Sequence, residues 1–156
     1  MQDCVDDLRS TLTSESARLL AMSESDASRH PAPGKWSPKE VIGHLIDSAA
    51  NNHTRFIRAQ ITDDMVFPGY DQEAWVRLQR YNDRPWSELV SLWHTYNTHI
   101  ASVIEVISSE CLSRQRATHN LDEVGWRTIP RDQPATLDYF IRDYVGHLKH
   151  HLAQIR

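Results

Sequence analysis

The chain has 156 residues, of which 40% are hydrophobic and 24% charged, and its net charge at pH 7 is −4. These values exclude a disordered chain and suit one domain with a full hydrophobic core, so we take residues 1–156 as a single domain. No apolar run reaches the length of about eighteen residues that a membrane span needs, and no dense lysine and arginine tract indicates nucleic-acid binding.

The N-terminal segment MQDCVDDLRS is acidic and lacks the apolar centre of a secretory signal, so we expect a cytoplasmic protein. The two cysteines, Cys4 and Cys111, form no CxxC pair and are expected to be free thiols. The chain also has nine histidines, a high number for its length. The question for function is which of these histidines converge.

The first two helices are predicted from apolar periodicity and capping residues. Residues 3 to about 27 carry apolar side chains at helical spacing, and the segment HPAPG ends this helix. A second helix begins at the sequence SPKE, in which Ser37 is the N-cap and Glu40 completes a capping box. This helix is predicted to end at about Gln60 or Ile61.

A polar strip follows one edge of the apolar arc of the second helix. Its members are spaced four, three and four residues apart, which keeps them within roughly 40° of one line, and Asp47 lies alongside. The strip consists of His44, Ser48, Asn51 and Arg55. Either the strip is the beginning of the solvated side of the helix, or it lines an internal site.

Two further long helices are predicted in the rest of the chain. Residues 62–85 form a long connection with a short helix at about 72–79, and a crossover of this length lets the next helix run parallel to the previous one. The third long helix spans residues 86–108. Residues 109–135 form a polar loop, and Thr136 is the N-cap predicted for the final helix.

The final helix, residues 139–156, carries the strongest signal in the chain. His147 and His151 stand four residues apart on one face, and two imidazoles so placed can bind one metal ion from a single helix. Alternatively, both are helix-surface or core histidines with hydrogen-bond partners. His150 is predicted to point away into solvent, whereas Gln154 returns to the face of His147.

Four helices of roughly twenty residues, with no convincing strand, predict an all-α four-helix bundle with a long crossover between the second and third helices. Such bundles build metal sites from inward side chains on facing helices. His44 lies early in the second helix, and His147 and His151 lie late in the fourth. If these two helices are antiparallel neighbours, the three imidazoles meet at one end of the bundle.

Three stretches of the chain together resemble the DinB-like superfamily, which includes metal-dependent hydrolases and thiol S-transferases. They are WSPKEVIGHLIDSAANNHTRF from residue 36, YDQEAWV with RYNDRPWSELVSLW from residue 70, and GHLKHHLAQIR from residue 146. In that family a W-x-x-x-E-x-x-x-H pattern carries one metal ligand and a terminal H-x-x-x-H pattern carries two. The resemblance therefore implies His44, His147 and His151 as ligands of a divalent ion, nickel or zinc above all, in a four-helix bundle that forms a homodimer.

The leading functional hypothesis is a metal-dependent enzyme acting on a small molecule. Three neutral imidazoles leave a coordination position open, at which the ion activates a water or, as the resemblance implies, a low-molecular-weight thiol. The pocket is expected to be shaped by Ser48, Asn51, Arg55, Tyr144 and Gln154. Within this set Arg55 is the candidate for holding an anionic substrate group, and Asp47 is the nearest candidate for a general base.

Two other hypotheses remain open at this stage. One is a non-catalytic module that binds a metal for stability and serves in dimerisation or sensing. The other is a plain helical bundle whose histidines are coincidental.

Overall fold

The computed structural model describes residues 1–156. Its helices, in chain order, are α1 (Gln2–Leu20), α2 (Glu24–Ala27), α3 (Pro38–Ile61), α4 (Gln72–Gln79), α5 (Trp86–Glu105), α6 (Ser109–Ser113), α7 (Leu121–Val124) and α8 (Leu137–Leu152). A 3-10 turn, Tyr81–Asp83, follows α4, and β-structure is limited to two isolated bridges. None of the helices combines the length and apolar composition that crossing a membrane requires.

The four long helices, α1, α3, α5 and α8, form a four-helix bundle, as the sequence predicts. In this bundle α3 and α8 are antiparallel neighbours. His44 near the start of α3 lies beside His147 near the end of α8, with ring centroids 5.2 Å apart. Phe56, late in α3, lies beside Phe140, early in α8, with ring centroids 5.8 Å apart. The arrangement that the convergence of histidines requires is therefore present.

The long connection between α3 and α5 brings these two helices parallel to each other. Near their starts, the Glu24 carboxylate accepts hydrogen bonds from the backbone N–H of Trp86 (2.9 Å) and from the Lys39 ammonium. Further along, His53 of α3 lies beside Tyr96 of α5, with ring centroids 5.7 Å apart. The predicted crossover is thus confirmed.

The predicted helix starts are confirmed by their capping hydrogen bonds. The Ser37 hydroxyl accepts from the backbone N–H of Glu40 (3.2 Å), and the Glu40 carboxylate accepts from the backbone N–H of Ser37 (2.8 Å). At α8, the Thr136 hydroxyl accepts from the backbone N–H of Tyr139 (3.2 Å). These caps satisfy N–H groups that have no partner within the helix.

Several predicted helix bounds were wrong because local caps start new helices. The first predicted helix is divided into α1 and α2, since Ser23 caps α2 through its side chain. The third predicted helix ends at Glu105, and Ser108 caps the short helix α6 that follows. The predicted polar loop contains α6 and also α7. The last helix is shifted towards the N-terminus and ends at Leu152, which leaves Gln154 beyond it.

Tyr81 fixes the crossover against α3. Its ring lies where a side chain of Gly43 would be, because a β-carbon on Gly43 would stand 2.0 Å from the nearest ring atom. The Tyr81 hydroxyl also donates a hydrogen bond to Asp47, one turn further along α3 (2.6 Å). This packing therefore joins the crossover to the turn of α3 that carries His44.

We predict that Gly43→Ala destabilises the protein by about 1–3 kcal/mol, the usual cost of overpacking a well-filled site, because Tyr81 must leave its place and its bond to Asp47. Urea unfolding measures the change. Gly69→Ala is the matched control, since a β-carbon there meets no atom within 4 Å. Equal stability of the two variants would contradict the proposed packing.

Candidate metal centre

Three imidazoles converge at one end of the bundle. His44 comes from α3, and His147 and His151 come from α8. One ring nitrogen from each residue lies within 4.8 Å of the others, and the Nε2 atoms of His44 and His147 are 3.2 Å apart. The structure thus brings together the three histidines that the sequence predicts to meet.

The environment of these rings fits a bound cation. Nε2 of His44 faces Nε2 of His147, and Nδ1 of His151 is buried without any hydrogen-bond partner, which is unusual for a buried polar atom. Two nitrogens bound to one tetrahedral zinc ion at about 2.0–2.1 Å lie roughly 3.3–3.4 Å from each other. The Nε2 separation between His44 and His147 is close to this value. The donor set is also one that zinc, nickel and related ions accept.

The electrostatics of the cluster keep the imidazoles neutral. Burial, with a smaller contribution from His151, lowers the pKa of His44 to about 4. Burial also lowers the pKa of His147 to about 3, helped by the neighbouring histidines, and lowers the pKa of His151. A neutral imidazole is the form that coordinates a metal, so the cluster is in the ligating state at pH 7.

Two neighbours orient the rings. The indole of Trp36 packs on His44, with centroids 5.1 Å apart, and on His151, at 6.5 Å. The Ser48 hydroxyl lies 3.5 Å from Nδ1 of His147, at the outer limit of a hydrogen bond. Groups in such positions fix ring orientation and tautomer in metal sites. His150 is exposed, as predicted, and its ring lies between His151 and Trp126, with ring centroids 5.3 Å from each.

A cavity of about 330 Å³ opens beside His44 and His147. It lies between α3 and α8, and the connections around α4 and α7 close it with Tyr70 and Trp126. His151 does not line this cavity but lies behind it, against Trp36. The cavity is within the size range of small-molecule sites.

The residues predicted to shape the pocket divide into two groups. Ser48, Arg55 and Tyr144 line the cavity. Asn51 and Gln154 do not: Asn51 donates to the backbone carbonyl of Asp47 (2.9 Å), and the exposed Gln154 contacts His150 beyond the end of α8. The expectation for these two is corrected because the cavity lies on the core side of the polar strip and because α8 ends early.

Asp47, the predicted candidate base, also lies away from the cavity. It is buried, and one of its oxygens accepts from Tyr81 (2.6 Å) and from Gln79 (2.5 Å). Burial raises the pKa of this carboxyl, and these two hydrogen bonds oppose that change. Asp47 therefore joins α3 to the crossover and does not face the imidazole cluster.

Sequence reasoning missed several cavity residues, notably Asn52, Tyr70, Trp126 and Asp143. A signal existed for Asp143, which stands four residues before His147 and shares its face of α8. Tyr70 and Trp126 belong to irregular connections, where periodicity predicts no direction for a side chain.

Trp126 forms a wall of the cavity and is held there by α8. The Asp143 carboxylate accepts from the backbone N–H groups of Trp126 and Arg127, both at 2.8 Å. The indole lies over Gly146, where a β-carbon would stand 3.0 Å from the ring. Asp143 and Gly146 directly precede the H-x-x-x-H pattern, so the helix that carries two imidazoles also fixes the cavity wall beside His147.

We predict that the metal-free protein loses stability as the pH falls from 6.5 towards about 4. The unfolded chain takes up protons at a histidine pKa of 6.5, whereas folded His44 and His147 take them up only near pH 4 and 3. Their contribution is therefore fully present above pH 6.5 and is lost across this window, by up to about 1.4 kcal/mol per pH unit for each histidine.

Urea unfolding in a chelator between pH 7 and pH 4.5 measures this slope. The triple variant His44→Gln, His147→Gln and His151→Gln should have a clearly shallower slope, and His150→Gln, which changes an exposed histidine, should not. The same slope in all three proteins would contradict the assignment of depressed pKa values to the cluster.

Comparison with known proteins places this geometry in a family. A sequence model of the DinB superfamily matches residues 8–155. A protein of Oceanobacillus iheyensis named "Putative metal-dependent hydrolase OB0782" is 30% identical over 122 residues, which are 78% of this chain and 64% of the relative. The chain thus spans just under two thirds of that relative's length. A protein of Bacillus subtilis named "Putative metal-dependent hydrolase YfiT" is 22% identical over 134 residues, which are 86% of this chain and 70% of YfiT.

Two solved structures share the fold. One is the structure of YfiT, described as a probable metal-dependent hydrolase with an unusual four-helix bundle topology. It has a TM-score of 0.79 at 19% identity, and the match covers 99% of this chain and 82% of the YfiT chain. A mycothiol-dependent maleylpyruvate isomerase has a TM-score of 0.69 at 11% identity, with 99% of this chain and 60% of that chain covered. At these identities the likeness concerns the fold alone. Because the family's sequence model spans nearly the whole chain, this protein belongs to the DinB superfamily.

Proposed function

We propose that this protein is a metal-dependent enzyme in which His44, His147 and His151 hold a divalent ion beside a small-molecule pocket. The observation that carries the proposal is the convergence of three neutral imidazoles, one buried and two half-buried, at the edge of a cavity of about 330 Å³. Relatives named as metal-dependent hydrolases support the same conclusion. Among divalent ions, nickel and zinc suit an all-imidazole donor set.

A divalent ion on three imidazoles supplies Lewis acidity at a coordination position left open by the protein, which lowers the pKa of a water or thiol there. The chain's own residues position and shield this chemistry. Trp36 covers one side of the imidazoles, and Trp126 and Tyr70 border the cavity on the other side. Tyr144 is held by a hydrogen bond from its hydroxyl to Asn97 (2.5 Å), so its ring is a fixed part of the pocket.

A low-molecular-weight thiol fits this cavity better than water as the activated nucleophile. Of the carboxylates that line it, Asp143 accepts two backbone N–H groups and Glu123 pairs with Arg131 at 2.5 Å, so either would act as a base towards water only in competition with these partners. A thiol has an ordinary pKa of about 8.5 and needs only a modest decrease to ionise at neutral pH. The fold shared with a mycothiol-dependent isomerase supports this choice. The homodimer implied by the family resemblance remains a proposal.

We predict that the purified protein binds about one divalent ion per chain, that His44→Ala abolishes this binding, and that acid releases the ion as the imidazoles take up protons. Elemental analysis and calorimetric titration with Zn²⁺ and Ni²⁺ measure stoichiometry and affinity. His150→Ala is the matched control, because His150 is an exposed neighbour on the same helix as two of the ligands. Unchanged metal content in His44→Ala would rule out the three-histidine site.

Chelation separates an enzyme from a non-catalytic metal-binding module. For an enzyme, removing the ion should abolish thiol transfer to an electrophile panel or hydrolysis of an ester panel, and adding it back should restore the rate. For a dimerisation or sensor module, removing the ion should lower the melting temperature, with no metal-dependent turnover in either panel. Assaying His44→Ala beside His150→Ala identifies any rate caused by free metal.

A further inference from the structure

Arg55 is a buried cation without an anionic partner. Its side chain lines the cavity and the residue is only 5% exposed. Its hydrogen-bond acceptors are neutral: the backbone carbonyl of Pro68 (3.0 Å) and the side-chain oxygen of Asn52 (3.5 Å). Glu123, a carboxylate on the same cavity, is paired with Arg131 instead. The positive charge of Arg55 is therefore uncompensated inside the protein.

An uncompensated buried guanidinium calls for a reason, because removing a charge from water is costly unless a counter-charge and hydrogen bonds replace the solvent. Burial lowers the pKa of Arg55, as expected for a charge without a partner. A guanidinium carries five N–H donors, and the two acceptors found leave part of its fork free. That free part is suited to a carboxylate, which guanidinium groups bind in a bidentate manner.

A second buried arginine, which also has no anionic partner, shows what a purely structural role looks like in this fold. Arg116 is 2% exposed and donates to the backbone carbonyls of Ala59, Cys111 and Arg114 at 2.8–3.3 Å. Ala59 lies in the last turn of α3, so Arg116 satisfies a carbonyl that has no partner within the helix. Arg55 has no comparable set of acceptors and faces a cavity.

The position of Arg55 on α3 relates it to the imidazoles. Eleven residues separate it from His44, which is about three helical turns, so the two side chains project within roughly 20° of each other and their Cα atoms lie about 16 Å apart along the axis. Ser48 and Asn52 line the cavity between them. A ligand in this cavity can therefore present one end to the imidazole cluster and the other end to the guanidinium.

We propose that the substrate is a small molecule with a terminal carboxylate, which binds to the Arg55 guanidinium while its reactive group faces His44 and His147. This inference rests on the proposed function for the identity of the reacting end. It makes Arg55 a specificity-determining residue, since an uncharged analogue leaves the buried cation without a partner. The anion site itself requires only Arg55 and the cavity, and can be tested with or without a metal.

The test uses Co²⁺-loaded protein and chain-length series of ω-mercaptocarboxylates, from mercaptoacetate to 8-mercaptooctanoate, each beside its uncharged primary amide. The absorbance of a thiolate bound to Co²⁺ reports binding. In the wild type, the carboxylate of best-fitting length should bind at least about tenfold more tightly than its amide, the range of a charge-assisted hydrogen bond. In Arg55→Met this preference should vanish, with Co²⁺ stoichiometry unchanged, and in Arg55→Lys it should be partly retained.

Arg58→Met is the matched control, because Arg58 is an exposed arginine one turn further along α3. It should keep the carboxylate preference of the wild type. Equal affinity for acid and amide in the wild type, or an unchanged preference in Arg55→Met, would overturn the proposal. Co²⁺ binding remains a separate test of the metal site. If Arg55→Met does not fold, the wild-type comparison and Arg55→Lys decide the matter.

Carboxylate binding by Arg55 can also be tested without a metal. Hexanoate and hexanamide are titrated into the metal-free protein, and the NMR chemical shifts of the protein are followed. Selective binding of hexanoate that disappears in Arg55→Met supports the anion site, whether or not Co²⁺ binds. If Co²⁺ does not bind, only the proposed metal chemistry is contradicted. Equal shifts with both compounds, or with both proteins, count against Arg55.

Discussion

Keeping three neutral imidazoles side by side at one end of the bundle is the constraint on which the rest of this structure depends. Each ring must stay neutral, and two of them have a buried nitrogen without a protein partner. The free energy that holds them together must come from packing elsewhere in the bundle, including that between α3 and α8. Phe56 of α3 contacts both Phe140 and Tyr144 of α8, with ring centroids 5.8 and 5.6 Å apart. These aromatic contacts set the register in which His44 meets His147.

Several contacts also hold the start of α3 in place. They matter because His44 lies in the second turn of this helix. Ser37 and Glu40 form reciprocal caps, and Lys39 and Trp86 share the carboxylate of Glu24. On the next turn, Tyr81 occupies the space that a side chain at Gly43 would fill. A metal site needs its ligands held close to a productive geometry, and these contacts limit the movement of the helix that supplies one ligand.

Much of this arrangement follows from sequence patterns with a definite physical period. A capping box, an apolar stripe and two histidines four residues apart each fix a direction in a helix, and together they predict the bundle and the meeting of His44 with His147 and His151. The sequence is less informative where the surroundings of a side chain depend on how neighbouring segments pack. Asn51 and Asn52 both stand at helical spacing from Ser48 and Arg55, and only the location of the cavity on the core side decides that Asn52 lines it. The short helix α6 likewise depends on a local cap, Ser108, within a polar segment.

The charge distribution around the cavity follows from the hydrogen-bond and ion-pair partners of each nearby carboxylate. One oxygen of Asp47 accepts from Tyr81 and Gln79, Asp143 accepts from two backbone N–H groups, and Glu123 pairs with Arg131. A chain with a net charge of −4 thus presents to this cavity neutral imidazoles at one end and an unpaired guanidinium at the other. A cation on the imidazoles would make both ends positive, and their mutual repulsion in a medium of low dielectric constant would be relieved by an anion lying between them. Because the carboxylates that line the cavity already have partners other than Arg55, the cavity favours a ligand that brings its own negative charge.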